Sequence, residues 1–198
     1  MSSYQVIYKS VRHAYARVNT EGQLVLTIPK RLRGDQKFLE QLLSKGESLL
    51  ARHAKRNQVT SFNEQGIQLF GEWIEWSEFS SDGKPLSQSS LDKKLKEILY
   101  EYAKEWLDIF SQQLGVPYRS LQIRKMKSRR GSCSSDQKIV LNLSLIYLSR
   151  ECIQYVIAHE AAHLVEKNHA PAFWNVVGKL FPQYKKVRKE LKNLLLFC

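Results

Sequence analysis

Apolar and polar positions alternate with a period of two at the start of the chain. Tyr4-Gln5-Val6-Ile7-Tyr8 and the stretch from Val11 to Val18 are rich in β-branched and aromatic residues. Thr20-Glu21-Gly22-Gln23 is turn chemistry, and Leu24-Val25-Leu26-Thr27-Ile28 follows until Pro29 stops it. These segments predict a small antiparallel sheet. The period then changes: Phe38, Leu39, Leu42, Leu43, Leu49 and Leu50 fall at helical spacing, so a helix capped by Asp35 is expected to reach about Arg52. From Ile67 to Trp76 alternation returns, as one strand or a bent pair, and Ser80-Ser81-Asp82-Gly83-Lys84-Pro85 opens a linker that runs to Ser90.

Ser90 is expected to cap a long helix to Leu114, with Leu91, Leu95, Ile98, Leu99, Tyr102, Trp106, Phe110 and Leu114 on one face. Gly115-Val116-Pro117 closes it. Two strands follow near Leu121–Met126 and Lys138–Leu143, joined by a Gly- and Ser-rich loop around Gly131. A helix starts near Ser149 and runs through His163, and Pro171 and Pro182 each start another. There is no internal repeat. The order predicts an α+β protein. Its expected parts are an N-terminal β-rich module over 1–85 with one helix, and a helical domain with a short sheet over 86–198. One continuous compact unit is the alternative.

Composition narrows the class. With 198 residues, 43% of them hydrophobic and 25% charged, the chain reads as globular rather than disordered or fibrous. No apolar run approaches the roughly 20 residues needed to span a bilayer, so no membrane partner is expected. Met1-Ser2-Ser3-Tyr4 lacks the basic and apolar stretches of a secretory signal. Three cysteines, Cys133, Cys152 and Cys198, give no disulfide framework, which fits a cytoplasmic location. The net charge of +12 is uneven: residues 1–114 carry 16 Lys/Arg against 14 Asp/Glu, residues 115–198 carry 15 against 5. The second half therefore suits an anionic partner, nucleic acid or another polyanion, with solubility as the plainer explanation.

The chemistry lies in Tyr155-Val156-Ile157-Ala158-His159-Glu160-Ala161-Ala162-His163, an H-E-x-x-H pattern inside an expected helix. Residues four apart share one helix face. His159 and His163 can then hold one tetrahedral metal, and Glu160, beside the first of them, is placed to deprotonate a water that the metal has acidified. Random placement of this composition gives the motif roughly 0.009 times per chain. Uncharged core histidines are the alternative.

A catalytic zinc usually takes three protein ligands. His169 is the best third candidate, provided that the helix ends after His163. Asn168 tolerates a left-handed cap and Pro171 prevents the helix from continuing. Glu190 is a weaker candidate, and His13 and His53 lie in distant elements. Cys133 reads as structural.

Four stretches carry a family resemblance. Ser128-Arg129-Arg130-Gly131-Ser132-Cys133, Ile139-Val140-Leu141-Asn142, His159-Glu160-Ala161-Ala162-His163 and Asn168-His169-Ala170-Pro171-Ala172-Phe173-Trp174 resemble the YgjP-like metallopeptidases, which are related to SprT-like proteases and minigluzincins. The resemblance implies a zincin-like catalytic domain, one Zn²⁺ held by His159, His163 and His169, and Glu160 as general base. It also implies a peptide or protein substrate. Two positions depart from the family pattern: Arg130 stands for a Trp, and Ala161 for a Leu.

Arg124, Lys125, Lys127, Arg129 and Arg130 put five cations in seven residues just before the site. They are candidates for holding an anionic substrate, with a lysine-guarded strand edge as the alternative. The expected function is a zinc-dependent hydrolase, foremost a peptidase. The competing readings are a metal-dependent nucleotide or phosphoanhydride hydrolase, and a nucleic-acid-binding protein with a structural zinc. Three imidazoles suit Mg²⁺ poorly, and a structural site has no use for Glu160.

Overall fold

The computed structural model describes residues 4–19, 22–58 and 61–193, with residues 52–58 and 193 given by backbone alone. The chain forms two compact units, Met1–Thr60 and Ser61–Cys198. The boundary expected at 85/86 falls inside the second unit. The reason is packing: Ile67, Leu69, Trp76 and Phe79 are buried in the same cluster as Leu91, Leu95 and Leu99.

In the first unit, strands β1 (Tyr4–Lys9), β2 (Tyr15–Val18) and β3 (Leu24–Pro29) form one sheet in the order β1-β3-β2. The expected antiparallel pairing holds between β2 and β3, but β1 runs parallel to β3. Two reversals in sequence, after β1 and after β2, bring β3 back to the direction of β1. β3 is buried along its whole length, so it takes the centre and leaves β1 and β2 at the edges. Helix α1 (Gln36–Gln58) covers the sheet. Asp35 caps it as expected, its Oδ1 accepting from the Phe38 amide at 3.0 Å. The turn expected at Thr20–Gln23 lies partly outside the described residues.

The second unit begins with a hairpin, β4 (Gly66–Leu69) and β5 (Glu72–Glu75), turned at Phe70 and Gly71. Both turn residues have positive φ, 53° and 86°, the geometry of a two-residue hairpin turn. A short helix α2 (Trp76–Phe79) leads to α3 (Gln88–Leu114). The cap of α3 is Ser87 rather than Ser90: the Ser90 amide donates to Ser87 Oγ at 3.3 Å, since Ser87, three residues earlier, is the extended residue just before the first helical one. Gly115 ends α3 in the left-handed conformation. The buried stripe of α3 includes Ala103 and Leu107, which complete the face predicted by the larger residues.

Strands β6 (Ser120–Arg124), β7 (Gly131–Cys133) and β8 (Lys138–Asn142) form a sheet ordered β6-β8-β7. The loop expected around Gly131 thus contains an edge strand, too short for alternation to reveal. Helix α4 (Arg150–Ala162) is buried nearly throughout, and α5 (Pro171–Leu180) and α6 (Tyr184–Asn193) complete the unit. Among the described residues no helix is long and apolar enough to cross a membrane.

Candidate metal centre

Helix α4 is started by Ser149, whose Oγ accepts from the Cys152 amide. Val156, Ile157, Ala158, Ala161 and Ala162 sink it into the core. That burial fixes which face His159 and His163 occupy. Their ring centroids lie 5.1 Å apart. The helix ends at Ala162, and the next three amides fold onto the carbonyls of Glu160, Ala161 and Ala162 in a tightened turn. No left-handed residue at Asn168 is needed: among the described non-glycine residues only Phe70 and Gln137 have positive φ. The turn returns His169 to the site, 5.0 Å from His159 and 4.8 Å from His163 between ring centroids. One nitrogen from each ring lies within 4.8 Å of the others.

Helix α5 holds this cluster in place. Pro171 starts it, and its first turn presents Phe173 and Trp174. Phe173 is wholly buried and packs against all three imidazoles at 4.5 to 4.9 Å. Trp174 stacks on His169 and donates from Nε1 to its carbonyl at 3.2 Å.

The hydrogen bonding determines what the nitrogens can do. Nδ1 of His163 lies 2.9 Å from the Glu166 carbonyl. A carbonyl only accepts, so Nδ1 carries the hydrogen and Nε2 keeps its lone pair. Nε2 of His159 and Nε2 of His169 face each other at 3.0 Å. Burial, then the neighbouring His163 and His169, pushes the pKa of His159 down to about 3. Burial also pulls His163 below its usual value. Both rings are therefore neutral at pH 7, the form that binds a cation. Nδ1 of His159 is buried without a hydrogen-bond partner among the described residues. Three converging imidazole nitrogens fit a divalent transition metal.

Glu160 is 6% exposed. Burial pushes its carboxyl up to about 8, while the charge of Arg129 pulls the other way. The backbone of β7 at Gly131 lies against it. A cavity of about 600 Å³ opens in front of His159, Glu160 and His169.

The five cations of the 124–130 stretch separate. Arg124 donates to Gln122 at 2.5 Å, and Lys125 pairs with Asp92 of α3 at 2.5 Å. Arg124, Lys125 and Lys127 do not line the cavity, whereas Arg129 and Arg130 do. Arg130 donates from Nη2 to the Leu191 carbonyl at 2.6 Å, satisfying an end carbonyl of α6. Glu190 lies against Cys152 rather than the imidazoles. His13 lines a separate cavity in the first unit, and the side chain of His53 lies outside the described residues.

Three features escape the sequence reading. Arg188 and Lys192 line the cavity from α6; their four-residue spacing was the available signal. Asn142 is buried and donates from Nδ2 to the carbonyls of Met126 and Arg129 at 2.9 and 2.8 Å. It ties the basic loop to the end of β8.

Helix α4 thus presents two imidazoles and a buried glutamate, and a third imidazole lies beside them in a group that could hold a metal ion. Residues 75–194 match the family described as YgjP-like, metallopeptidase domain, and the chain belongs to that family. Two solved structures are similar to it. One is the metallopeptidase zymogen abylysin of Pyrococcus abyssi, at 26% identity and a TM-score of 0.41, covering 45% of this chain and 90% of that one. The other is the metallopeptidase zymogen jannalysin of Methanocaldococcus jannaschii, at 22% identity and 0.42, covering 46% and 93%. No curated protein matches this chain.

Proposed function

We propose that the chain is a zinc-dependent peptidase in which His159, His163 and His169 hold the metal and Glu160 is the general base. The observation that carries this reading is the convergence of three imidazole nitrogens within 4.8 Å beside a buried glutamate. When bound there, zinc supplies Lewis acidity toward a carbonyl oxygen and toward water. The chain's own residues do the rest. Phe173 and the Glu166 carbonyl orient the imidazoles. Burial favours the protonated form of Glu160 and a cation bound beside it would favour the carboxylate; in that ionised form it accepts a proton from the attacking water and returns it to the leaving amine. β7 is an edge strand beside that carboxyl, so an extended peptide has backbone to pair with.

Phosphoanhydride hydrolysis finds less support. A Mg²⁺ site draws on carboxylates, and among the described residues Glu160 is the one carboxyl that lines the cavity. The sparse cysteines continue to suit a cytoplasmic setting. The deciding experiment pairs metal analysis with a fluorogenic peptide library. Wild-type protein should carry one zinc and cleave peptides. Glu160→Gln should keep the zinc and lose at least about 100-fold in turnover, the usual scale of a lost general base. Full turnover in that variant removes the assignment.

A further inference from the structure

The cavity beside the imidazoles carries a charge pattern that the metal chemistry does not use. Among the described residues four cations line it, Arg129 and Arg130 from the segment before β7 and Arg188 and Lys192 from α6, against the single carboxyl of Glu160. Arg130 is committed as a brace to the Leu191 carbonyl. Arg129 and Arg188 are exposed, and among the described residues neither forms an ion pair with a carboxylate.

Both are nevertheless held in place. The Arg129 carbonyl is pinned by Asn142 Nδ2 at 2.8 Å. The guanidinium of Arg188 lies 4.1 Å from the centre of the Trp174 ring, and that ring also stacks with His169 and with Tyr184. A guanidinium held by its cation–π contact with an indole keeps its N–H donors for a further partner, and their planar fork suits a carboxylate bidentately. Lys192 follows one turn later on the same face of α6 and adds a second positive charge.

We infer that this cavity is a carboxylate-reading subsite: the substrates are peptides that place an acidic group beside the cleaved bond, recognised by Arg188 and Arg129. The proposal rests on the peptidase reading for the word "cleaved", but the recognition itself does not. A neutral or basic side chain would leave the positive excess of the lining uncompensated. An acidic side chain or a C-terminal carboxylate neutralises them.

The test uses zinc-loaded Glu160→Gln protein, so that binding is read without turnover. The probes are N-acetylated, C-amidated hexapeptides in which one Glu or one Gln is walked through otherwise neutral positions. At the best position the Glu peptide should bind about tenfold more tightly than its Gln twin, a factor equal to about 1.4 kcal/mol. Adding Arg188→Gln should bring that ratio below about threefold. Arg188→Glu should reverse it in favour of a Lys peptide, an outcome that a merely misfolded helix cannot produce. Lys189→Gln, on α6 but not lining the cavity, should leave the ratio unchanged. A neutral hexapeptide with a free C-terminal carboxylate tells which source of carboxylate the subsite reads, and preference for either supports it. Equal binding of the Glu and Gln peptides at every position, together with equal binding of free and amidated C-termini, overturns the proposal. So does a nucleoside triphosphate that outcompetes every peptide. The wild-type protein separates the two readings: discrimination without cleavage of any peptide removes the peptidase and keeps the subsite, and cleavage without discrimination does the reverse.

Discussion

Gly131 lies so close to Glu160 that a β-carbon at position 131 would stand 2.7 Å from Oε1 and 2.8 Å from Cγ of that side chain. At that distance one of the two must shift, so β7 covers the carboxyl in its present position only with glycine at this point. Gly131→Ala should therefore push the Glu160 side chain out of position while the imidazoles stay put. Zinc content should remain near one per chain, turnover should fall at least about tenfold, and overpacking should cost about 1–3 kcal/mol. Wild-type turnover in a variant with normal zinc would show that the closeness of the two residues has no bearing on catalysis.

The imidazole cluster ties metal to stability. A ligand present at 100 times its dissociation constant stabilises the folded state by about 2.7 kcal/mol. Dialysis against a chelator should lower the melting temperature, and added Zn²⁺ should restore it. His163→Ala and His169→Ala should each abolish the zinc-dependent part of that shift. Full metal occupancy in His169→Ala would return the third position to another donor.

Phe173 touches all three rings from beneath. Phe173→Ala opens a cavity at the centre of the site and should cost about 3–5 kcal/mol by urea unfolding. Zinc affinity should fall with it, because the rings lose the surface that fixes their angles. Phe173→Leu should recover part of both. A variant that loses stability but keeps wild-type zinc affinity would assign Phe173 to the core alone.

Asn142 acts through its donors. Nδ2 bonds two loop carbonyls, and Oδ1 accepts from Ser144. Asn142→Ala should cost roughly 2–3 kcal/mol, since buried partners are left unsatisfied. Asn142→Asp keeps the shape but has no N–H, so it should do no better. Both should speed protease cleavage between residues 126 and 130. An Asp variant as stable and as protease-resistant as wild type would mean that the Nδ2 bonds do not hold the loop.

The helix that carries the H-E-x-x-H pattern was legible in the sequence, because its information is local. Two histidines four apart share a face by the helical repeat alone, the apolar neighbours Val156, Ile157 and Ala158 mark that helix as buried, and Pro171 guarantees a break before α5. His169 could be named as the third ligand candidate on the same grounds. The tertiary structure decided what stands opposite. β7 has three residues, too few to show a period, and its place over Glu160 depends on pairing with β8. Arg130 and Arg188 are 58 positions apart, and nothing in their spacing says that they line one cavity. They do so because Val187 and Leu191 bury one face of α6 in the core, which turns Arg188 and Lys192 toward the site. The pairing of β1 with β3 rather than β2 likewise followed from which strand was buried on both faces, not from the alternation of any one strand. Periodicity is set by each residue's own backbone geometry, whereas the partner across a gap is set by the volumes and surfaces that distant segments bury together.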